Sequence, residues 1–578
     1  MTIRRFDLDG RAAELRRLLG RGREVVILAA VIGVLTGLGV AAFDRITANA
    51  IFGWLTSTPV WVEALGPPVG LALAAACLHW LAGGAGPATA DEYIHSVVDP
   101  EGRFALRPVL GKLLASMATL GGGAAMGFEG PSIYLGTAVG AAVQRRLRPR
   151  MWAVDPHTAL IAGAAAGVAA IFKAPATGAV FAIEVPYQDD LASNALLPAL
   201  VGAATGYATF AALNGTDPLI PVGGRPPIDA RDIIGAAAVG IACGVGARIF
   251  AWLLRAAKTL SGRLPAWQRV AAGGAVLAGL AVASHEAFDG KAFSLGPGYR
   301  AVEWSLDPHR ALPLIALLAT MRVVATATSV AGGGVGGLFV PLVVQGALTG
   351  RLIGGAVGGP NESLFVVLGI AAFLGAGYRV PLAAVMFVAE ATGRPGFVVP
   401  GLLAAVVAQL MMGAASVSPY QARRRFGHVE ERADLPIESV LVTDVPTARP
   451  DDTLSGFFAA HVALARRRAV PVVAGGDDGA ADGGRAVYVG IVFLDDLLAV
   501  DPERWPTTAI DAVMRTDAPV GRPDWTIGEA LAAMVAAGVE YLPVIGDDGA
   551  LRGMAGTVDI LDLGDLLGRL ESPPGSGP

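Results

Sequence analysis

The sequence predicts an all-α polytopic membrane protein with a C-terminal α/β tandem domain, and three observations lead there. Of 578 residues, 53% are hydrophobic and only 16% charged, with a mean hydropathy of +0.56; soluble domains carry about 25% charged residues. Uncharged runs at 25–43, 64–90, 191–216, 323–350 and 395–422 are long enough to cross about 30 Å of hydrocarbon. Beyond "ARRRFGHVEERADLP" the apolar runs shorten and acids become more frequent.

Taken in order, residues 1–24 form a basic, amphipathic start without a cleavable signal, placing the amino terminus in the cytoplasm. The membrane part spans 25–427, in halves of about 25–216 and 231–420. Clusters at Arg145, Arg146, Arg148 and Arg150, and at Arg423, Arg424 and Arg425, face the same side by the positive-inside rule. Both termini are then cytoplasmic, with the chain in the cell (inner) membrane. The 77 glycines suit close helix contact in lipid, and Cys77 and Cys243 read as packing residues. A linker at 428–436 leads to a paired soluble domain at 437–570 and a disordered tail at 571–578. The net charge of −5 names no partner, and no nucleic acid is expected.

The membrane part repeats itself. Lys112 precedes Pro131 by 19 residues with a triple glycine between them, and Arg322 precedes Pro341 by the same 19 with another. Downstream "FKAPATGAVFAIE" aligns with "YRVPLAAVMFVAE", setting Lys173 against Arg379, Pro175 against Pro381 and Glu184 against Glu390. Duplicated halves broken by Gly and Pro point to interrupted helices meeting near the midplane, where transporters place ion sites. The residues do not say whether the halves run parallel or inverted. In the soluble part "RPDDT" recurs as "RPDWT", "AVPVV" as "YLPVI" and "GIVFLDD" as "GMAGTVD", giving two small α/β units.

Glu129, in "GFEGP", is the acid that stands out. An ionisable side chain inside a membrane run is a functional candidate, against the plainer reading of a helix cap or a partner for Lys112. Gly127 and Gly130 let backbone approach a ligand, and Pro131 suits a first helical turn. The free amides of that turn attract anions. The duplicate, "GLFVP", keeps the punctuation without the acid and offers the amides of Leu338 and Phe339 to a negative charge that the protein does not supply. The physical reading is an anion seat between two helix starts, with Glu129 as a tethered competitor and Lys112 attracting from a distance. Partial charges suit conduction, which needs binding weak enough for release. Burial opposes ionisation of Glu129 while Lys112 and the amides favour it.

"GFEGP", "GLFVP", the duplicated half and the paired tail together resemble the CLC family of chloride channels and chloride/proton antiporters with tandem CBS domains. The likeness covers about 25–427 and 436–570. It implies inverted halves, a homodimer with one pathway per subunit, gating by Glu129, and an anion site lined at Gly127, Phe128, Gly130, Gly337, Leu338, Phe339 and Val340. The family's serine motif falls on "GPATADEYI", which has no serine and only Thr89 nearby, so the anion is chloride or a relative such as fluoride or nitrate. Phe128 stands where the family usually has arginine. The tyrosine near the membrane exit falls on Tyr420, with Ser418 as the other candidate.

Family antiporters carry an inner relay acid, and here that position holds Val185 beside Glu184. The expectation is therefore a gated chloride channel, with proton exchange through Glu184 or another route as the alternative. The tail offers Asp496, Asp559 and Thr557 to an adenine nucleotide, but the hydroxyl three residues before each aspartate is missing, so no cofactor is expected. No metal site is expected, and no nucleophile and base lie at workable spacing, so no enzyme is expected either.

Overall fold

The computed structural model describes residues 8–99, 103–147, 156–216, 219–220, 230–358, 362–422, 435–459, 469–475, 487–497 and 500–560. The 571–578 tail, nearly all of the 428–436 linker, and Arg148, Arg150, Arg423, Arg424 and Arg425 lie outside these residues. The chain divides into two compact units, Met1–Arg425 and Phe426–Pro578.

The described residues of the first unit are mostly helical. Its main helices are α1 (Leu8–Asp44), α2 (Val60–Ala76), α3 (Ala90–Val98), α4 (Val109–Gly121), α5 (Glu129–Leu147), α6 (Pro156–Phe172), α7 (Pro175–Glu184), α8 (Leu196–Asn214), α9 (Ala230–Gly262), α10 (Ala266–Ala287), α11 (Tyr299–Ser305), α12 (Leu312–Ala331), α13 (Phe339–Val357), α14 (Glu362–Tyr378), α15 (Pro381–Thr392) and α16 (Val398–Met412). Among the described residues, eight spans are long and apolar enough to cross a membrane. Leucines, valines and tryptophans on their outer faces, such as Leu35, Trp61, Leu73, Trp252 and Val406, are exposed, as lipid-facing surfaces require.

Expectation and structure part at 323–350. That uncharged run is not one span: α12 ends at Ala331 and α13 begins at Phe339. Gly333 between them has a φ of +83°, a left-handed geometry that glycine adopts without steric cost. The run is apolar because both broken ends are buried in protein, which is where irregular backbone is tolerated in a membrane.

The repeat is visible element by element: α4 to α8 match α12 to α16. Within each half one helix pair crosses with backbone touching backbone. A Cβ on Gly136 would collide with the Gly163 carbonyl, and one on Gly346 with that of Gly369, so small residues set this approach in both halves. Lys173 and Arg379 occupy matching turns at φ +53° and +57°. Each is followed by a proline that opens the next helix, α7 or α15. Cys77 and Cys243 are both free thiols.

The second unit carries two antiparallel hairpins, β1 (Ala469–Ala474) with β2 (Val487–Phe493) and β3 (Tyr541–Ile545) with β4 (Leu551–Gly556). Helix α17 (Ile527–Ala537) starts with a capping box in which Thr526 and Glu529 satisfy each other's free amides. Thr453 caps the short helix Leu454–Phe457 in the same way with its side chain. The two threonines are those of "RPDDT" and "RPDWT".

Candidate anion pathway

The two halves meet at their broken helices. Gly127 and Gly337 exchange backbone hydrogen bonds, 2.9 Å from the Gly127 amide to the Gly337 carbonyl and 2.8 Å in return. This bridge points the starts of α5 and α13 at one spot. It also removes the Gly127 and Gly337 amides from the set that could hold an anion: both are already committed to carbonyls.

The Glu129 side chain occupies the spot. It is 1% exposed, and its Oε1 accepts the Phe339 amide at 2.6 Å, while Oε2 has no partner among the described residues. The carboxylate lies across both glycines of the bridge, so that a Cβ on Gly127 or Gly337 would collide with it. By repeat alignment Phe339 is the counterpart of Glu129, so one half's acid sits on the other half's matching amide. Phe339 and Val340, in the first turn of α13, are buried, and the Phe339 ring packs against Phe172, Phe181 and Phe387 at 4.3, 5.4 and 5.0 Å between centroids.

A third helix start adds to the seat. Thr89 precedes α3 and is 3% exposed, with its Oγ1 unpartnered among the described residues. That hydroxyl is close enough to Gly130 to meet a Cβ placed there. Phe128, Asp44, Tyr299 and Arg300 line a cavity of about 240 Å³. Tyr299 is within reach of the charges of both Glu129 and Asp44.

Four expected site residues are arranged differently. Lys112 was to act at a distance, yet its fully buried ammonium pairs with Glu92 and donates to the Ala88 carbonyl at 2.8 Å, so much of its charge is neutralised locally. Glu184 is a helix cap: its oxygens accept the Leu382 and Ala383 amides at 3.1 and 2.8 Å. Tyr420 is 47% exposed, with its ring against His95 at 6.0 Å, while Ser418 donates to Asp91 at 2.7 Å.

Sequence reasoning missed Tyr378. It is 3% exposed and within reach of the charges of Glu129 and Asp91. The signal was present in "FKAP" against "YRVP", where Tyr378 differs from its counterpart Phe172 by one hydroxyl.

In the tail, Arg515 holds Asp496 through two hydrogen bonds of 2.8 and 2.6 Å. Asp559 accepts the Gly556 amide at 3.0 Å, and the Thr557 amide donates to Glu540. No group of three or more metal-ligating side chains occurs among the described residues.

Comparison with known proteins agrees with this architecture. Residues 69–413 match the voltage gated chloride channel family and residues 510–565 the CBS domain. A putative chloride channel protein ClcB-like from Ralstonia nicotianae is 26% identical over 65% of this chain and 89% of its own length. The H(+)/Cl(-) exchange transporter ClcA of Salmonella paratyphi A is 28% identical over 72% of this chain and 92% of its own. Among solved structures, a slow cyanobacterial Cl-/H+ antiporter superposes with a TM-score of 0.59 at 21% identity, covering 67% of this chain and 94% of that one. With duplicated halves, a shared seat at the broken helices and a family match over most of the membrane unit, this chain belongs to the voltage-gated chloride channel (CLC) family of anion transport proteins.

Proposed function

We propose that the protein is a chloride/proton exchanger in which Glu129 alternates between the anion seat and a protonated, displaced position. The observation that carries this reading is the uneven treatment of the Glu129 carboxylate, with one oxygen on the Phe339 amide and the other without a partner. A buried carboxylate held by main-chain amides at the start of α13 is an anion mimic that a real anion can displace, and taking up a proton removes the charge those amides attract. Proton uptake and anion entry are thereby linked at one side chain. The names of relatives add support, since one is an exchange transporter. The channel expectation rested on Val185 at the relay position, and it yields because a relay acid can stand elsewhere. The protein works as a homodimer in the cell membrane with both termini cytoplasmic, each subunit carrying its own pathway, and chloride is the anion.

Purified protein in liposomes, with chloride and proton movement recorded together, tests this. Coupled movement that loses its proton component in Glu129→Gln is the expected result. Chloride movement without protons in the unaltered protein would replace the exchanger by a channel. Competition by fluoride or nitrate reports the anion preference.

A further inference from the structure

We propose that Arg300 is the anion-capturing residue at the outer mouth of the pathway, supplying there the positive charge that Phe128 does not. The proposal rests on the anion seat at Glu129 and holds whether or not protons move with the anion. Phe128 directly precedes Glu129, packs edge-on against Phe43 of α1 at 6.4 Å between centroids, and forms part of the wall of the cavity of about 240 Å³. The cavity thus reaches the residue next to the gate. With the amino terminus cytoplasmic, α1 rises about 30 Å between Arg23 and Asp44, the thickness of the hydrocarbon, and Asp44 also lines the cavity. That sets the cavity at the outer face.

The wall suits a negative guest. Phe293, Leu295 and Pro297 form part of it, and the carbonyls of the whole stretch 293–297 turn to the guanidinium of Arg322 at 2.7–3.5 Å. Arg322 is 1% exposed and stands behind the wall, not in it. An anion in the cavity therefore meets side chains and not the negative ends of these peptide dipoles. The stretch is held in place: the Gly296 amide donates to the Gly123 carbonyl at 2.8 Å. Gly298 takes a φ of +105°, and a Cβ there would collide with Arg322. At about 30 Å³ per water molecule, the cavity has room for an anion with several waters.

Arg300 follows this stretch in the first turn of α11 and lines the cavity with its exposed side chain. Glu63 of α2 is within reach of its charge, but no carboxylate among the described residues is paired with it. Neighbouring cations are spent elsewhere: Arg310 pairs with Asp307 at 3.1 Å and covers the Trp304 ring, and Arg45 donates to the Leu213 carbonyl. Asp44 is the acid of the wall, and its Oδ2 accepts the Asn214 amide at 2.9 Å. One cavity therefore carries an acid that discourages anions and a guanidinium that gathers them. Guanidinium charge is delocalised and weakly hydrated, which suits a stop where the anion is caught and released.

The test follows chloride flux through full-length protein in liposomes over a range of chloride concentrations, at low and high ionic strength set by an impermeant salt. Arg300→Gln is expected to raise the half-saturating chloride concentration about 10-fold at low ionic strength, the lower end of electrostatic steering, with the maximal rate unchanged. The gap should close near 1 M salt, where the Debye length is about 3 Å. Asp44→Asn, which keeps an acceptor for Asn214, should shift the value the other way. Arg300→Cys isolates the charge: a membrane-impermeant cationic thiol reagent restores capture and an anionic one of like size does not, with the unaltered protein and its Cys77 and Cys243 as control. An unchanged value in Arg300→Gln, or a loss that neither salt nor the cationic reagent alters, overturns the assignment and leaves the seat at Glu129 standing. Absence of chloride movement in the unaltered protein overturns both.

Discussion

The two membrane halves are built alike where they hold the fold and differ where they handle charge. Glu184 at the end of α7 caps the start of α15, and Glu390 in α15 caps the start of α7, accepting the Ala176 and Thr177 amides at 2.9 and 2.7 Å. The Gly127–Gly337 bridge and the left-handed Lys173 and Arg379 obey the same symmetry. At the anion seat the symmetry breaks: Glu129 faces Phe339. It breaks again at the buried cations. Lys112 has a carboxylate, Glu92, whereas Arg322 has none among the described residues and instead donates to the carbonyls of Phe293, Ser294, Leu295, Gly296 and Pro297 at 2.7–3.5 Å. A duplicated gene supplies a scaffold whose matched contacts close on each other, and function arises at the positions where one copy changed.

Measurements can sharpen that contrast. The largest effect is expected at Arg322, because Arg322→Met strands a whole loop of buried carbonyls; the loss should reach at least about 3 kcal/mol, read as a collapse of the melting temperature in detergent. Lys112→Met should cost less, since Glu92 is 36% exposed and can turn to water. Equal losses at both sites would show that the cations are equivalent after all.

Next comes Gly127→Ala. A methyl group there meets the Glu129 carboxylate and drives it off the Phe339 amide, so anion movement should persist while its dependence on Glu129→Gln disappears. Retained sensitivity to Glu129→Gln would show that the acid keeps its seat. Third, Glu184→Ala and Glu390→Ala should each cost about 1–3 kcal/mol, as expected for amides that lose a charged acceptor, and by similar amounts if the caps are true counterparts. A change in the proton-to-chloride ratio for Glu184→Ala alone would break the symmetry. Smallest is Asp496→Ala in the tail. Its partner Arg515 is 48% exposed, and solvent screening limits the loss to less than about 1 kcal/mol in chemical denaturation.

Much of this was legible in the residues themselves. Glycine and proline mark the broken helices because glycine enters left-handed turns without steric cost and proline suits a first helical turn, and the 19-residue spacing exposed the duplication. The Glu129 seat followed from helix-start physics. The partners did not follow. Glu92 and Lys112 are 20 residues apart in sequence, and Glu184 meets its amides across 198 and 199; no periodicity encodes such pairings. From the chain Tyr420 is preferred to Ser418, and the fold sends Ser418 to Asp91 and Tyr420 to the surface.

By itself the sequence determined the class of protein, the repeat, the helix breaks and the acid that competes with the anion, because each depends on local backbone preference or on the cost of charge in hydrocarbon. Tertiary structure alone decided which carboxylates are free. Glu184 and Glu390 are consumed by amides from the opposite half, Glu92 by Lys112, and Glu129 is left half-satisfied, because hydrogen-bond partners are assigned by which segments the packing brings within about 3 Å.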